Sequence, residues 1–544
     1  MNPIDGMLSS ELSSEFFSES MGHLAVRLTH LPNARVLWIN PRYSKIDPTP
    51  ASRLAPNEYV DHIKETCAKR IFHAFSENIA SRSSVGIADR YGGSGIGNNG
   101  GSGRACVIDG YSIKGIGRTP LVGNSKSTTH ISGDFFLEEC IRETIFGELV
   151  DAEFPYGAIP TLAILDTGQV EFWDAGRRRV FERRSLMVRP SFLRPAHFMR
   201  APMFLSMNPC EGSLDSQRVK LMLKKLSLLN GPEAGLGLVR SLANRWAKQL
   251  AYAYIHRISL GGPSPSNISI SGQMVDFGGA SALRSLAQIC TQLDIPATGQ
   301  EIFRMLQEVR VLVTFVCKNT SNSKGESGIS EEIFKEAHGN YFHTISIELL
   351  RLCGLTGHQA EKALASQNSN SIARSINILI SHYRTEHVAM FGGEVGKLSF
   401  DLIRIWDETP PWHLSPLKAD ILKMGQLFPA SIDYPLIWKQ RCRWRCKDRA
   451  RLDRDSLRWR IYDSLEDLYQ KDMLNQDGVT SLIQNEVLAA RVDSKIDFDA
   501  QSIVGFRISD GDSFVQLVNM YTDSQTEVLE RHSKSYITVA NPLD

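Results

Sequence analysis

Several kinds of signal are missing from this chain of 544 residues, and each absence excludes a class of protein. No run of 18 apolar residues occurs, so we expect no transmembrane helix and no membrane partner. The opening residues, MNPIDGMLSSELSSEFF, lack the basic start and apolar core of a secretory signal. The cysteines form no CxxC pair and no HExxH motif is present, which argues against a structural zinc site or a zincin active site.

An excess of charge of one sign is missing as well. The chain has 61 Lys and Arg against 60 Asp and Glu, so its formal net charge is +1 and gives no general basis for binding nucleic acid. The nine cysteines are an odd, scattered set. Such a set is typical of a reducing cytosol, so we expect a cytoplasmic protein.

One stretch departs from this balance. Residues 439–460 carry ten basic and three acidic side chains, with tryptophans at or near them. A basic and aromatic mixture of this kind is found in nucleic-acid-binding segments. The pattern favours a charged helix face with buried aromatics, or a docking face for an acidic partner, over nucleic-acid binding.

The hydrophobic pattern divides the chain into four segments. We predict an N-terminal segment over residues 1–85, a β-rich nucleotide-binding lobe over 86–200, a helical lobe with a metal-binding loop over 201–400, and a helical extension over 401–544. A β-rich lobe with one helix, followed by a helical lobe, is the outline of a protein kinase. We therefore expect an α+β fold of the protein-kinase-like (pseudokinase), two-lobed type, with a helical C-terminal extension.

Several elements are predicted within these segments. Helical patterns cover residues 59–80 and 133–152. The stretch AILDTGQVEFW indicates two strands joined by a turn at residues 166–168. Residues 263–283 have the pattern of a loop, a short strand and a second loop.

Two glycine-rich stretches stand in the predicted β-rich lobe. Residues 86–104 hold eight glycines in nineteen residues and end in GSGR at 101–104. This stretch is either a flexible linker or a ligand loop, and the β-like sequence that follows it favours a ligand loop. The second stretch places Lys114 directly before Gly115 and Gly117, where a sharp bend or a close backbone approach is expected.

Residue types that suit a nucleoside triphosphate follow one another along the chain. Kinases hold phosphates with a strand lysine that is paired with a helix glutamate, here Lys114 and Glu143. Asn267 and Asp276, nine residues apart, supply the oxygen ligands that magnesium prefers, and Asp276 begins a DFG sequence. Backbone N–H groups and cations for the phosphates come from Gly101, Gly103, Arg104, Arg189 and Arg194.

Simpler interpretations fit some of the same residues. Glu143 stands among Glu138, Glu139 and Glu148, so the pattern also fits a solvated helix face. Asp276 could cap a turn, because DFGG is favourable turn chemistry. The nine-residue spacing from Asn267 and the order of the motifs favour the nucleotide site.

Five motifs in this order resemble the selenoprotein O family, which are kinase-like proteins that transfer AMP from ATP to protein hydroxyls. The resemblance covers roughly residues 90–285. The sequence also looks similar to the MchC-like branch of the family, which is associated with maturation of siderophore-carrying microcins. The motifs are GSGRA at 101–105, KGIGRTP at 114–120, IRE at 141–143, PSFLR at 190–194 and SNISISGQMVDFGG at 266–279.

The resemblance implies a role for each matching residue. Asn267 and Asp276 would hold Mg²⁺, or Mn²⁺ in its place, and Glu143 would pair with Lys114. ATP would contact Gly101, Gly103, Arg104, Lys114, Gly133, Arg189, Arg194 and Asp276. Three positions depart from the family pattern. Ser266 stands where the family has an aspartate that serves as base, Met187 stands where the first arginine is expected, and only Gly133 is left of a second glycine motif.

The expected function is therefore ATP- and magnesium-dependent transfer of AMP to a protein or peptide acceptor. Because Ser266 cannot act as a base, a carboxylate acceptor is an alternative, since an ionised carboxylate needs no proton removed. That alternative is a maturation enzyme for a siderophore-carrying microcin peptide, working with a second maturation protein. A non-catalytic, ATP-binding pseudokinase scaffold is another alternative. Ordinary γ-phosphoryl transfer is disfavoured because no HRD motif is present.

Overall fold

The computed structural model of the chain groups the residues into two compact units. Unit 1 contains Met1–Leu283, Ile289–Tyr341 and Arg449–Arg491, and unit 2 contains Arg284–Gln288, Phe342–Asp448 and Val492–Asp544. These units follow a different division from the four segments predicted from composition. The residues described are 15–71, 83–123, 132–175, 178–205, 211–231, 233–286, 289–290, 297–319, 326–384, 389–390, 400–427, 434–446, 449–491, 514–518 and 525–530.

An eight-stranded sheet dominates unit 1. Its strand order is β2-β7-β8-β6-β5-β4-β1-β3, and every neighbouring pair is antiparallel. The predicted N-terminal segment thus contributes strands to the sheet that carries the glycine-rich stretches. The strands are β1 Leu24–His30, β2 Arg35–Ile39, β3 Lys69–Arg70, β4 Ser83–Arg90, β5 Gly101–Ile108, β6 Tyr111–Lys114, β7 Ala163–Ala175 and β8 Arg178–Pro190.

Two local predictions in the sheet are wrong. The turn predicted at residues 166–168 is a bulge inside the single strand β7, because the register with β8 shifts between Asp166 and Val170. Gly168 has φ +79° and its N–H donates to the Asp166 carboxylate, so turn-like chemistry is present without a reversal of the chain. The GSGR residues 101–104 lie in β5, and the loop occupies residues 91–100 before it.

The predicted helix at 133–152 is confirmed as α3, Leu137–Glu153. Of its 17 residues, 13 are buried, which is more than one apolar stripe would explain. The helix packs on β7 and β8 of the sheet and on the later helices α12 (Arg454–Gln470) and α13 (Gln476–Ala490). It is therefore a central helix whose polar residues also need partners.

The remaining helices make the fold a mixed α+β arrangement, as predicted. The helix predicted at 59–80 ends at Cys67, and residues 72–80 of that prediction lie outside the described residues. Unit 1 also holds the helices α1 Tyr43–Ile46, α2 Pro56–Cys67, α4 Glu211–Asn230, α5 Ala234–Ile255, α6 Glu301–Asn319 and the first part of α7 Glu326–Leu352, and the short strands β9 Ile258–Ser259, β10 Ser281–Ala282 and β11 Ile289–Cys290.

Unit 2 is mainly helical. The helical section expected over residues 401–544 also contains a strand pair near the chain end, in which Phe514–Val518 and Gln525–Glu530 pair antiparallel. Within the described residues, no helix is both long and apolar enough to cross a membrane. The elements of unit 2 are the end of α7, α8 Gly357–Leu364, α9 Ser369–Tyr383, β12 Ala389–Met390, α10 Ser415–Met424, α11 Tyr434–Arg445, β13 Phe514–Val518 and β14 Gln525–Glu530.

The segment 263–283, after α5, makes a tight reversal rather than the regular short strand that was predicted. An isolated antiparallel bridge joins Ile268 to Met274, and the Val275 N–H donates to the Asn267 carbonyl at 3.0 Å. Asn267 therefore lies beside Val275, the residue directly before Asp276. This reversal explains how two residues nine positions apart in sequence come close together in space.

Candidate functional site

The centre of the candidate site is a lysine held between two carboxylates. Lys114 is the last residue of β6, Glu143 lies in the middle of α3, and Asp276 follows the reversal described above. The Lys114 Nζ is 2.6 Å from Glu143 Oε1 and 3.2 Å from Asp276 Oδ1. Three elements that are distant in sequence thus meet at one ammonium group.

Glu143 is the most deeply buried member of this group. Its side chain is 0% exposed, and its second oxygen is 2.9 Å from an Arg189 guanidinium nitrogen. Burial raises the pKa of the Glu143 carboxyl, although the charge of Lys114 acts in the opposite direction. With both oxygens bonded to cations, Glu143 can orient Lys114 and Arg189 but has no free oxygen for a metal.

Asp276 differs from Glu143 in its exposure and its backbone conformation. Its side chain is 45% exposed, and its φ of +66° lies in the left-handed region that non-glycine residues rarely adopt. Desolvation in the cleft acts to raise the pKa of its carboxyl, but Lys114 and three arginines outweigh that effect and hold the pKa well below its usual range. An open, ionised carboxylate on a strained backbone suits a metal site. The three arginines are Arg104, Arg189 and Arg194.

Arg104 reaches the same cleft from β5. Its guanidinium bonds to Glu139 at 2.9 Å and 3.4 Å and to the Asp134 carbonyl at 2.9 Å. Gly101 and Gly103 precede it in the strand, where a Cβ on Gly101 would lie 2.3 Å from the Asp89 carbonyl oxygen. Gly101 is therefore required for backbone packing, whatever it does for a ligand.

The glycines after Lys114 let the chain fold back on β5. Gly115 has φ +102°, and a Cβ there would lie 2.4 Å from the Ser185 carbonyl oxygen. Gly133 lies directly against Gly117, because a Cβ added to Gly133 would be 2.0 Å from the Gly117 carbonyl carbon. The glycine pattern after Lys114 and the predicted contact residue Gly133 thus form one backbone crossing. This crossing positions Lys114 and the start of α3.

Arg194 lies in a buried polar network. Its guanidinium is 3.5 Å from Asp89 and stands over the rings of Tyr91 and Phe192 at 4.8 Å and 4.6 Å. The backbone N–H of Arg194 donates to Nδ1 of His197 at 2.8 Å. The hydrogen of that ring is therefore on Nε2, which donates to Asp89 at 2.7 Å. Burial lowers the pKa of His197, and the hydrogen bond from this ring holds Asp89 beside Arg194.

Ser266 and Asn267 stand beside the glycine-rich loop. The Ser266 hydroxyl lies 2.8 Å from Ser264 Oγ and 3.2 Å from Asn267 Oδ1, and its single hydrogen is donated to one of these two acceptors. Ser264 in turn donates to the Ser94 carbonyl at 2.8 Å, and a Cβ on Gly95 would lie 2.7 Å from Ser264 Oγ. Loop 91–100 therefore packs closely on the segment that carries Asn267, which a free linker would not do.

The groups around Asp276 have the chemistry that a magnesium–triphosphate ligand needs. Magnesium prefers oxygen ligands such as the Asp276 carboxylate and the Asn267 amide oxygen. Phosphate oxygens pair with cations such as the Lys114 ammonium and the guanidinium groups whose charges act on Asp276. In the described part of the chain, no three His, Cys, Asp or Glu side chains form a metal-binding group on their own.

The structure brings the predicted site residues together in unit 1. Lys114, Glu143, Arg189 and Asp276 form one bonded or charge-linked group, and Arg104 and Arg194 adjoin it. Sequence reasoning missed Glu139, which holds Arg104, and Asp89, which holds Arg194. Glu139 carried a usable signal, because it lies four residues before Glu143 and so on the same helix face.

No protein-family model matches the chain, and no curated protein is significantly similar to it in sequence. Membership of the selenoprotein O family therefore stays a prediction that rests on the five motifs. The geometry of the site is a separate observation, since the distances around Lys114 do not depend on any resemblance.

Proposed function

We propose that this chain is an ATP- and magnesium-dependent adenylyltransferase of kinase-like, two-lobed fold that transfers AMP to a protein or peptide acceptor. The observation that carries the proposal is the Lys114 ammonium, which bridges the buried Glu143 at 2.6 Å and the open Asp276 at 3.2 Å. Kinases use a strand lysine, a helix glutamate and a metal-binding aspartate of this kind to hold nucleotide phosphates. The resemblance of the five motifs to the selenoprotein O family is the reason for proposing adenylyl rather than phosphoryl transfer.

Each side chain has a definite task in this proposal. Lys114 and the arginines Arg104, Arg189 and Arg194 donate hydrogen bonds to phosphate oxygens, and Glu143 positions Lys114. Asn267 and Asp276 would hold Mg²⁺, which neutralises phosphate charge when bound. Because Asp276 is held ionised by the surrounding cations, it is ready for a metal at any physiological pH.

The transfer step balances without any further reactant. An oxygen of the acceptor forms a bond to the α-phosphorus while the bond from that phosphorus to the β-phosphate oxygen breaks, and pyrophosphate leaves. A hydroxyl acceptor must also lose its proton, which passes to water or to the departing pyrophosphate. The arginines and Lys114 stabilise the negative charge that develops on the departing pyrophosphate. This stabilisation acts in the transition state.

A carboxylate acceptor is a second candidate, and one observation favours it. In the described part of the chain, the oxygens within hydrogen-bond distance of the Ser266 hydroxyl belong to Ser264 and Asn267 and not to a carboxylate. No general base therefore stands at the position next to the metal-binding Asn267. An ionised carboxylate needs none, and its adenylation gives a mixed anhydride that a partner enzyme could convert to an ester or amide.

Label transfer from ATP tests the proposal. The chain is incubated with Mg²⁺, candidate protein and peptide acceptors, and ATP labelled in either the α- or the γ-phosphate. We expect label only from the α position and a loss of labelling in Asp276→Ala and Asp276→Asn. The control is Asp109→Ala, because Asp109 also has a positive φ but is exposed in the turn between β5 and β6.

Other outcomes separate the alternatives. Transfer of γ-label would replace the proposal with ordinary kinase chemistry. ATP–pyrophosphate exchange that depends on a peptide with a free C-terminus would favour the carboxylate acceptor. Thermal stabilisation by ATP and Mg²⁺ without transfer or exchange would establish a binding scaffold instead.

A further inference from the structure

A second cation–carboxylate pair lies one helical turn before the first. Glu139 precedes Glu143 by four residues in α3, so both carboxylates project from the same face of the helix. The Arg104 guanidinium is 2.9 Å from Glu139 Oε1 and 3.4 Å from Glu139 Oε2. The two-point contact restrains both the position and the plane of the guanidinium.

The two pairs share one aromatic ring. Phe135, just before α3, lies 4.5 Å from the Lys114 ammonium and 4.9 Å from the Arg104 guanidinium carbon, measured to the ring centroid. The Asp134 carbonyl accepts a further hydrogen bond from Arg104 at 2.9 Å. Arg104 is thus fixed by its carboxylate, by the ring and by backbone, in the same way that Lys114 is fixed by Glu143 and the ring.

Glu139 also faces the site rather than solvent. A Cβ placed on Gly278 would lie 3.5 Å from Glu139 Oε1, 3.4 Å from Glu143 Oε1 and 3.8 Å from Asp276 Oδ1. The absence of a side chain at Gly278 therefore leaves one small volume that borders all three carboxylates. Burial acts to raise the pKa of Glu139, but Arg104 and then Lys114 outweigh it and lower that pKa, so the pair stays charged.

We infer that Glu139 is a positioning residue that holds Arg104 ready for the ATP phosphates, as Glu143 holds Lys114. This inference rests on the proposed nucleotide site. A free arginine side chain must be ordered when the ligand binds, and fixing it beforehand removes that cost from binding. Glu139 itself need not touch ATP, since its two oxygens are occupied by the guanidinium.

Calorimetric titration of the full chain with ATP and Mg²⁺ tests this role without requiring any transfer. The variants are Glu139→Gln, Arg104→Gln and the double variant. Glu139→Gln should raise the Kd for ATP roughly 10-fold, because a charge-assisted contact that orders the arginine is lost. In the Arg104→Gln background the same replacement should change Kd less than about 2-fold, since Glu139 acts through Arg104.

Glu148→Gln is the matched control. Glu148 lies in the same helix, its side chain is 18% exposed against 23% for Glu139, and it pairs with Arg42 at 2.9 Å instead of with a site residue. This variant should leave Kd for ATP unchanged. Glu139→Asp keeps the charge and should give an intermediate Kd, which provides a second test if the glutamine variant folds poorly.

The possible failures are distinguishable. An unchanged Kd in Glu139→Gln, or a loss that adds in full to that of Arg104→Gln, overturns the positioning role alone. A wild-type chain that binds ATP but transfers no AMP overturns the proposed reaction, while the coupling of Glu139 to Arg104 in Kd would still support the positioning role. A wild-type chain that does not bind ATP overturns both.

Discussion

Helix α3 carries acidic residues in its N-terminal half and at its C-terminal end, and the two regions are built for different purposes. In the N-terminal half, Glu139 and Glu143 hold Arg104 and Lys114, which come from the sheet. At the C-terminal end, Glu153 bonds Arg449 at 2.7 Å, and both of those side chains are at most 2% exposed. The distances are similar, but only the N-terminal half adjoins an open carboxylate with unused room beside it.

Adjacent residues show the same contrast. Glu138 bonds Arg142 at 2.7 Å, and Arg142 also donates to the Gly278 carbonyl, so this pair ties the helix to the DFGG turn. Burial raises the pKa of Glu138, whereas the pKa of Glu139 is lowered because Arg104 outweighs its burial. Distance alone therefore does not separate an ion pair that serves a site from one that serves packing. The surroundings of each carboxylate do.

The largest expected effect is at the site that the N-terminal half of α3 borders. Lys114→Ala should lower kcat/KM for AMP transfer by about 100- to 1000-fold, because a cation that stabilises phosphate charge is removed. The free energy of unfolding should fall by less than about 2 kcal/mol, since Glu143 keeps its contact with Arg189. Transfer rates and denaturant unfolding measure the two quantities. Lys471→Ala is the control, because Lys471 is 61% exposed.

The next effect belongs to the C-terminal end of α3. Arg449→Met should lower the free energy of unfolding by about 3 kcal/mol, because it removes the cation that lies 2.7 Å from the buried Glu153 carboxylate. The Kd for ATP of the folded protein should change less than about 3-fold, since Glu153 lies ten residues after Glu143 in the helix, which is about 15 Å along its axis. Denaturant unfolding and calorimetry test the two parts. A large loss of ATP affinity in folded protein would mean that the two ends of α3 are not independent.

The smallest effect concerns the pH dependence of Glu138 and Glu139. Glu138 holds its proton more tightly in the folded chain, so its contribution to stability should decline as pH rises above its ordinary pKa. Glu139 has the opposite shift, so its contribution is present above the ordinary pKa and is lost as pH falls below it. Unfolding of Glu138→Gln and Glu139→Gln, measured between about pH 3.5 and pH 7, should show differences from wild type of opposite slope. Equal slopes would contradict the contrast.

Local motifs carried most of what the sequence could predict. The α+β class, helix α3 and the elements that hold Lys114, Glu143 and Asp276 follow from hydrophobic period and short patterns. Glu139 was missed because neighbouring acids make the helix resemble a solvated face. The bulge at Gly168 was mistaken for a turn because glycine at positive φ serves both structures.

Local motifs could not predict which residues distant in sequence pair with one another. The basic run after residue 439 indicated either a charged helix face or an acidic partner. Part of that partner lies in the same chain, because Arg449 and Arg458 pair with Glu153 and Glu138 of α3. Nothing local in sequence links these residues, since 296 positions separate Glu153 from Arg449.

That separation has a consequence for the newborn protein. Unit 1 is assembled from three pieces of chain, and the last piece, Arg449–Arg491, packs on α3 and pairs with its Glu153. A ribosome that adds 5 to 20 residues per second needs roughly 15 to 60 seconds to travel from Glu153 to Arg449. During that time α3 carries acidic and apolar groups whose native partners have not yet been synthesised. Competence to bind nucleotide should therefore appear only near the end of translation.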